Sequence, residues 1–280
     1  MGNIVWLASY PKSGNTWLRA FIHNLLHDPV QPSQLDAVSG FFESEAEPKW
    51  YQPYLTEAVA NTPFDQLAAL RPKVHGDIAA SVARGSVMTK THNQLANYQG
   101  AALHNLQVTA AAVYVLRNPL DVVISAADHF GLSIDQAIEF MRDPNTAKQA
   151  DEQSAGGFLG SWSQHVESWT TTASPNFLVL RYEDMLDKPV ATFMQVAKLL
   201  GLDSGRTKIK KAIKFSSFRE LKKQEISAGF SERSLKAESF FRQGKKHQWI
   251  ERLNQEQVLN IIEQHREQML KFDYVPPKFR

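Results

Sequence analysis

The strongest constraint on the fold of this chain is a set of short, continuous apolar runs, each closed by polar residues and followed by helical periodicity. Ile4-Val5-Trp6-Leu7 is the first, and Val113-Tyr114-Val115-Leu116 is the clearest. Uninterrupted runs of this length fit strands buried on both faces of a parallel sheet, whereas half-exposed hairpins would alternate. We expect strands over Ile4-Ser9, Ser86-Thr89, Val113-Leu116 and Phe177-Leu180. After the first, Trp17/Leu18, Phe21/Ile22 and Leu25/Leu26 recur at the spacing of one helix face, and that helix should stop before Pro29. Strands alternating with helices predict an α/β architecture, a central parallel β-sheet flanked by helices with right-handed crossovers.

No Pro/Gly/Ser-rich linker interrupts the 280 residues, which predicts a single domain over 1–280. Hydrophobic residues at 43% and charged residues at 21% argue against disordered and fibrous classes. The lack of cysteine excludes a disulfide scaffold, a thiolate metal site and a cysteine nucleophile, and fits a reducing compartment. Met1 to Trp6 lack the basic segment and cleavage site of a signal peptide, and Trp6 breaks the myristoylation pattern. The longest apolar stretch, Val108 to Leu116, is too short to cross a bilayer, so a cytoplasmic protein without a membrane span is expected. A net charge of +2 gives no ground for a nucleic-acid partner. Its distribution is uneven: Arg206 to Arg252 hold fourteen Lys/Arg against five Asp/Glu, so this third either lines an anion site or is a solvated face.

Other stretches are less regular. Residues 28–65, with Pro29, Pro32, Pro48, Pro53 and Pro63 among aromatics, read as loops and short helices. Residues 142–160 pass through Asp143-Pro144-Asn145 and Ala155-Gly156-Gly157, a segment suited to mobility. A helix resumes over Ser161 to Trp169, and a long one runs from about Glu251 to Phe272 with Leu253, Val258, Ile261/Ile262 and Met269 inward.

Between the first strand and the first helix lies Tyr10-Pro11-Lys12-Ser13-Gly14-Asn15-Thr16-Trp17. The first N–H groups of a helix have no intrahelical partner, and with the positive end of the helix dipole they favour an anion. Gly14 lets the backbone approach closely, Ser13 and Thr16 add hydroxyls, and Lys12 adds a point charge. This set suits a phosphate-like group. A P-loop kinase or NTPase would need G-x-x-x-x-G-K-[ST], but here the first glycine is missing and the lysine precedes the second. A polar loop that merely caps the helix through Ser13 or Asn15 is a further alternative.

The segment resembles the 5′-phosphosulfate loop of the cytosolic sulfotransferase family, Y-P-K-S-G-T-T-W, and departs from it only at Asn15. The resemblance implies a single P-loop-like domain, with 3′-phosphoadenosine 5′-phosphosulfate (PAPS) as donor and 3′-phosphoadenosine 5′-phosphate (PAP) as product. It also implies donor contacts from Lys12, Ser13, Gly14, Asn15, Thr16 and Trp17, and a second anion site for the 3′-phosphate.

Arg117-Asn118-Pro119-Leu120-Asp121, continuing to Ser125, follows the third expected strand. Asn118 is a natural N-cap, Pro119 a natural first helical residue, and Asp121 sits in the first turn. Taken alone, Arg117 could equally pair with a nearby acid. The segment is similar to the family's R-N-x-x-D-x-x-x-S at all four fixed positions, which implies that Arg117 and Ser125 hold the 3′-phosphate.

Further matches follow in order. Gly160-Ser161-Trp162 with His165-Val166 and Trp169 resembles G-S-W-x-x-H-V-x-x-W, and Tyr182-Glu183-Asp184-Met185 resembles Y-E-D-M, where Tyr182 implies nucleotide contact. Ser216-Ser217-Phe218 is similar to the family's T-S-F beside the adenine, and Phe240-Phe241-Arg242-Gln243-Gly244 to F-M-R-K-G over the 3′-phosphate, with Gln243 replacing a lysine. The resemblance covers Ile4 to about Trp249 and thins over 28–84 and 131–155, where family members shape the acceptor site. The family's K-x-x-x-T-V-x-x-x-E dimer motif is not visible, and the match is nearer to bacterial natural-product tailoring sulfotransferases than to the animal detoxifying enzymes.

Sulfuryl transfer needs both reactants positioned and the charge on the departing phosphate stabilised. Lys12 and the helix N-terminus are suited to that, and no metal-ligand cluster is apparent. Thr89-Lys90-Thr91-His92 resembles the family's K-T-H segment, which implies His92 as general base, with Lys12, Lys90 and Ser125 in supporting catalytic roles. Imidazole titrates near pH 6.5, so close to neutrality most of it can accept a proton. His75, His129 and His165 are weaker candidates, His165 lying on a helix face between two tryptophans. The acceptor is expected to be a small molecule bearing a hydroxyl or an amine. Phe41-Phe42 and Trp50-Tyr51 fit an apolar one, and equally fit a core cover or a homo-oligomer contact. A nucleotide-binding sensor or scaffold without turnover stays open beside the enzyme reading.

Overall fold

The computed structural model describes residues 2–172, 174–202 and 204–280; Met1, Ala173 and Asp203 lie outside the described residues. Five strands form one parallel sheet: β1 (Asn3–Ser9), β2 (Glu43–Ser44), β3 (Ser86–Thr91), β4 (Thr109–Leu116) and β5 (Phe177–Arg181), in the order β2-β3-β1-β4-β5. The first strand takes the central place because it is apolar from Ile4 to Ala8: Ile4, Trp6, Leu7 and Ala8 have no exposed surface. It pairs with β3 from Asn3↔Ser86 to Ala8↔Thr91.

All four expected strands are present. β4 begins at Thr109, earlier than expected, because Ala110, Ala111 and Ala112 are too small to register as an apolar run yet still pair in the sheet. β3 runs on through the polar Lys90 and Thr91. β2 was not expected: its two polar residues pair with Thr89 and Lys90 at the sheet edge and leave no apolar signature.

By internal packing the chain divides into two compact units. The first contains Met1–Tyr10, Phe42–Tyr114 and Asp143–Val179; the second contains Pro11–Phe41, Val115–Arg142 and Leu180–Arg280. Within the first unit, the helix Phe64–Ala80 escaped sequence reading because Pro72 lies inside it and its buried face includes Arg71 and His75 among Leu67, Ala68, Val74 and Ile78. Residues 142–160 form a small hairpin rather than an open loop. Ala147–Lys148 pairs with Gly157–Phe158, and the Ala155 N–H donates to the Ala46 carbonyl at 2.7 Å. The helix Trp162–Thr170 opens on a capping box in which Ser161 and Gln164 satisfy each other's backbone N–H groups.

Within the second unit, the helix Asn15–His27 stacks Phe21 on Phe193, with ring centroids 4.1 Å apart. Asn118 caps the helix Pro119–Phe130 as expected, its side chain accepting the Leu120 N–H at 3.0 Å. The final long helix spans Gln255–Lys271 and begins four residues later than expected, because Asn254 caps it with Gln257. Val258, Ile261, Ile262 and Met269 are buried, while Leu253 lies before the helix.

Candidate active site

β1, β3, β4 and β5 each end at or just before a candidate segment: Tyr10 to Thr16, His92, Arg117 and Tyr182. The first, third and fourth of these belong chiefly to the second unit. There Gly14 occupies the N-cap of the helix Asn15–His27 at φ 112°, with no side-chain cap. A Cβ on Gly14 would come 2.8 Å from the Tyr182 ring, so both conformation and space require glycine. Lys12 is also left-handed, at φ 67°, which turns the loop between β1 and the helix. Its ammonium lies 3.8 Å from the centre of the Phe240 ring.

Arg117 converges on this loop. Its Nη1 donates to the Lys12 carbonyl at 3.1 Å and to Ser125 Oγ at 3.2 Å, its Nη2 donates to the Lys245 carbonyl at 3.1 Å, and the guanidinium lies 4.4 Å over the Tyr182 ring. Among the described residues no carboxylate pairs with this arginine, which is only 5% exposed, and its Nε has no partner. Ser13 Oγ and Trp17 Nε1 are likewise buried without partners. A buried cation beside unpaired donors is costly unless an anion supplies the acceptors. The donor set thus fits a phosphate-bearing ligand: three orphaned N–H or O–H groups, and a loop that a Cβ would obstruct.

The other predicted residues are distributed as follows. Asn15 and Thr16 turn their side-chain oxygens to Arg19, which donates to them at 3.1 and 3.2 Å and forms a two-point ion pair with Glu232 at 2.7 and 2.8 Å. Ser125 Oγ also donates to the Asp121 carbonyl at 3.3 Å. Ser217 is the N-cap of the helix Phe218–Ala228, and the Phe218 ring packs where a Cβ on Gly244 would stand. Arg242 pairs with Asp128 and Gln248, while Gln243 is exposed. Asp121 is engaged by a later segment. Its carboxylate accepts the backbone N–H groups of His247 and Trp249 at 2.7 and 3.2 Å, which anchors the segment carrying Lys245. Arg19 and Glu232 were missed by sequence reasoning; the one-turn spacing of Asn15 and Arg19 was the available signal.

His92 and Lys90 belong to the first unit. Lys90 lies on β3 opposite Leu7, and His92 follows the strand. His92 Nδ1 lies 2.7 Å from the Ser9 carbonyl and 3.3 Å from Ser9 Oγ. A carbonyl only accepts, so Nδ1 carries a proton, which in the neutral ring makes Nε2 the lone-pair nitrogen. His165 is buried between Tyr114 and the main chain, its Nδ1 facing the Tyr114 hydroxyl at 3.0 Å and its Nε2 donating to the His92 carbonyl at 3.1 Å. Burial pushes the His165 pKa down to about 4, so it is a neutral brace.

The chain belongs to the sulfotransferase domain family, whose model matches residues 3–273. It is 24% identical over 224 residues to mouse sulfotransferase 2A2, covering 79% of this chain and 67% of that protein. It is also 24% identical over 222 residues to guinea-pig 3-beta-hydroxysteroid sulfotransferase, covering 78% and 66%. The chain thus spans about two thirds of the length of these relatives. Two solved structures share the fold. One is retinol dehydratase in complex with androsterone and inactive cofactor PAP (TM-score 0.66, 20% identity, 98% of this chain and 83% of that one). The other is mouse sulfotransferase SULT7A1 complexed with PAP (TM-score 0.61, 21% identity, 95% and 84%). The protein is a PAPS-dependent sulfotransferase, and PAPS as donor with PAP as product accords with those complexes.

Proposed function

We propose that this chain, acting as one domain in the cytoplasm, transfers the sulfuryl group to the hydroxyl or amine of a small apolar molecule, with His92 as general base and Lys12 at the leaving phosphate. The observation that carries this reading is Arg117: a buried guanidinium with no carboxylate partner among the described residues, hydrogen-bonded to the Lys12 carbonyl. In parallel α/β sheets ligands bind beyond the carboxyl ends of the strands, where each of these segments begins.

When bound, the donor supplies a sulfuryl group on a phosphate that departs as an anion. Ser13, Trp17 and the first N–H groups of the helix Asn15–His27 hold the 5′ end, while Arg117, Ser125 and Arg242 hold the 3′-phosphate. Phe218 would lie by the adenine and Tyr182 would contact the nucleotide. Lys12, whose ammonium lies beside the Phe240 ring, would supply its charge to the departing phosphate oxygen. His92 takes the acceptor's proton at Nε2, and the resulting positive charge is shared with the Ser9 carbonyl through Nδ1–H. Lys90 assists at the leaving side. Because the group in flight has little charge of its own, this chemistry calls on no metal.

Two facts support an apolar, ring-bearing acceptor, with a hydroxyl first and an amine second. Phe158 packs against Tyr98 with ring centroids 5.1 Å apart, and Tyr98 against Phe64 at 5.0 Å, an aromatic cluster tied through the Phe158 N–H, 2.7 Å from Asn93 Oδ1, to the chain neighbour of His92. A steroid alcohol is also named for one relative, and androsterone and retinol for structural neighbours. A place among bacterial tailoring enzymes is proposed from the sequence pattern alone. The test is a panel of sterols, phenols, sugars and amines incubated with isotope-labelled PAPS and read by mass. Gain of one sulfuryl group by an apolar alcohol or phenol is expected. Transfer confined to polar sugars would overturn the acceptor class.

A further inference from the structure

Beside His92 lies a buried carboxylate for which the transfer reaction, as described, has no use. Glu45 follows β2, is 1% exposed, and donates its N–H to the Lys90 carbonyl at 3.4 Å. Its Oε1 accepts the Thr91 hydroxyl at 2.6 Å and the Asn93 side-chain amide; its Oε2 accepts the Arg71 guanidinium and His75 Nε2, the latter at 3.2 Å. Thr91 and Asn93 are the chain neighbours of His92 on either side.

The bonds fix the protonation states. A carboxylate only accepts, so the Thr91 proton points at Glu45 and the Thr91 oxygen accepts the Asn93 N–H at 3.0 Å and His104 Nε2–H at 3.2 Å. His75 donates from Nε2 and accepts the Asn105 N–H at Nδ1, 3.2 Å away. Burial holds both imidazoles neutral, His75 below its ordinary value and His104 at about 3. Burial also opposes ionisation of Glu45, but the Arg71 charge and the His75 bond outweigh it and keep its pKa well below the usual carboxylate range. One negative and one positive charge remain, enclosed together.

A buried ion pair is weak evidence for stability, since apolar residues of similar volume often serve as well or better. This one is distinguished by what it holds. The rest of the 91–93 segment is pinned in the same way: Asn93 Oδ1 accepts the Phe158 N–H, Trp169 Nε1 donates to the Asn93 carbonyl at 3.0 Å, and His165 donates to the His92 carbonyl. We propose that Glu45 is a positioning residue for sulfuryl transfer: through Thr91 and Asn93 it fixes the backbone of His92, so that the imidazole keeps its Nδ1–H bond to Ser9 and presents Nε2. The proposal rests on His92 as the base.

Glu45→Gln, Thr91→Val, Thr91→Ser and His92→Ala test it. Thr91→Val leaves the Glu45–Arg71 pair intact and so decides the matter if Glu45→Gln fails to fold. Long-range ¹H–¹⁵N spectra report the His92 tautomer, its signals assigned by their loss in His92→Ala, and calorimetry reports PAP affinity. In Glu45→Gln and Thr91→Val we expect His92 to lose its single Nδ1–H form and turnover of the acceptor found by mass to fall about 10- to 100-fold, the scale expected for a slightly misplaced group. PAP affinity should stay within about twofold, and Thr91→Ser should restore the wild-type tautomer. Unchanged His92 signals and turnover in a folded Thr91→Val or Glu45→Gln, beside an inactive His92→Ala, would overturn the positioning role alone. Full turnover in His92→Ala would remove the base and this proposal together.

Discussion

The surroundings of Arg117 and of His92 are both buried and both polar, yet the groups on the chain segment at each are engaged differently. Around Arg117, the Nε of the guanidinium, Ser13 Oγ and Trp17 Nε1 have no partner. Around His92, the Thr91 hydroxyl, both ends of the Asn93 amide, and the carbonyls of His92 and Asn93 are all engaged. Orphaned donors are tolerable where a ligand brings acceptors; a reacting group held in one orientation needs its neighbours on both sides hydrogen-bonded, although Arg71 Nε and His104 Nδ1 further back have no partner. On the proposed function the first region receives a polyanion and the second keeps one imidazole in one tautomer, so binding and turnover should be separable by mutation.

The largest expected effect breaks turnover alone. His92→Ala should lower kcat by about two to four decades with PAP affinity near wild type in calorimetry, the signature of a lost general base. A parallel loss of affinity would join the two regions and contradict the comparison. Next, Gly14→Ala should impair the anion side: a Cβ at φ 112° and 2.8 Å from Tyr182 strains the loop, and we expect donor affinity to fall about tenfold to a hundredfold. Affinity within twofold of wild type would show that the loop does not need this approach. A smaller effect should come from Gln243→Lys at an exposed position, raising PAP affinity about two- to fivefold at low salt with the gain fading as salt rises, as for an added phosphate contact.

The smallest effect concerns pH and stability. His104 and His165 have folded-state values of about 3 and about 4, below the ordinary 6.5, so the unfolded chain takes up their protons first as pH falls. Their neutral burial stabilises the fold fully above about pH 6.5 and progressively less down to about pH 4 for His165 and about pH 3 for His104. The melting temperature should therefore fall between pH 7.5 and 4.5, and His165→Gln should flatten that fall. An unchanged slope would mean that His165 is not buried neutral.

Much of this was legible in the sequence for a physical reason: β1 and β4 are apolar on both faces, and the segments after them carry residue types that only an anion unites. The Asn118 cap could likewise be read, because caps act over a few residues; the helix after Ser161 was expected, without its capping box. The brace behind His92 was not legible. Glu45, Arg71 and His104 are far apart in the chain, and each reads as an ordinary surface residue until the helix Phe64–Ala80, itself obscured by Pro72, brings Arg71 and His75 to the carboxylate. Arg19 was hidden differently: it breaks the apolar stripe of its own helix to reach Glu232, more than two hundred residues away.

The central claim is that Arg117 is kept without a carboxylate because the donor's 3′-phosphate completes it. Calorimetric titration of PAP and of adenosine 5′-phosphate, which lacks that phosphate, into wild type and Arg117→Ala tests it most directly. The account predicts that the wild type prefers PAP and that the variant loses about tenfold or more of PAP affinity while binding adenosine 5′-phosphate almost as before, the scale of a lost charge-assisted contact. Equal losses for both nucleotides, or none for either, would contradict it.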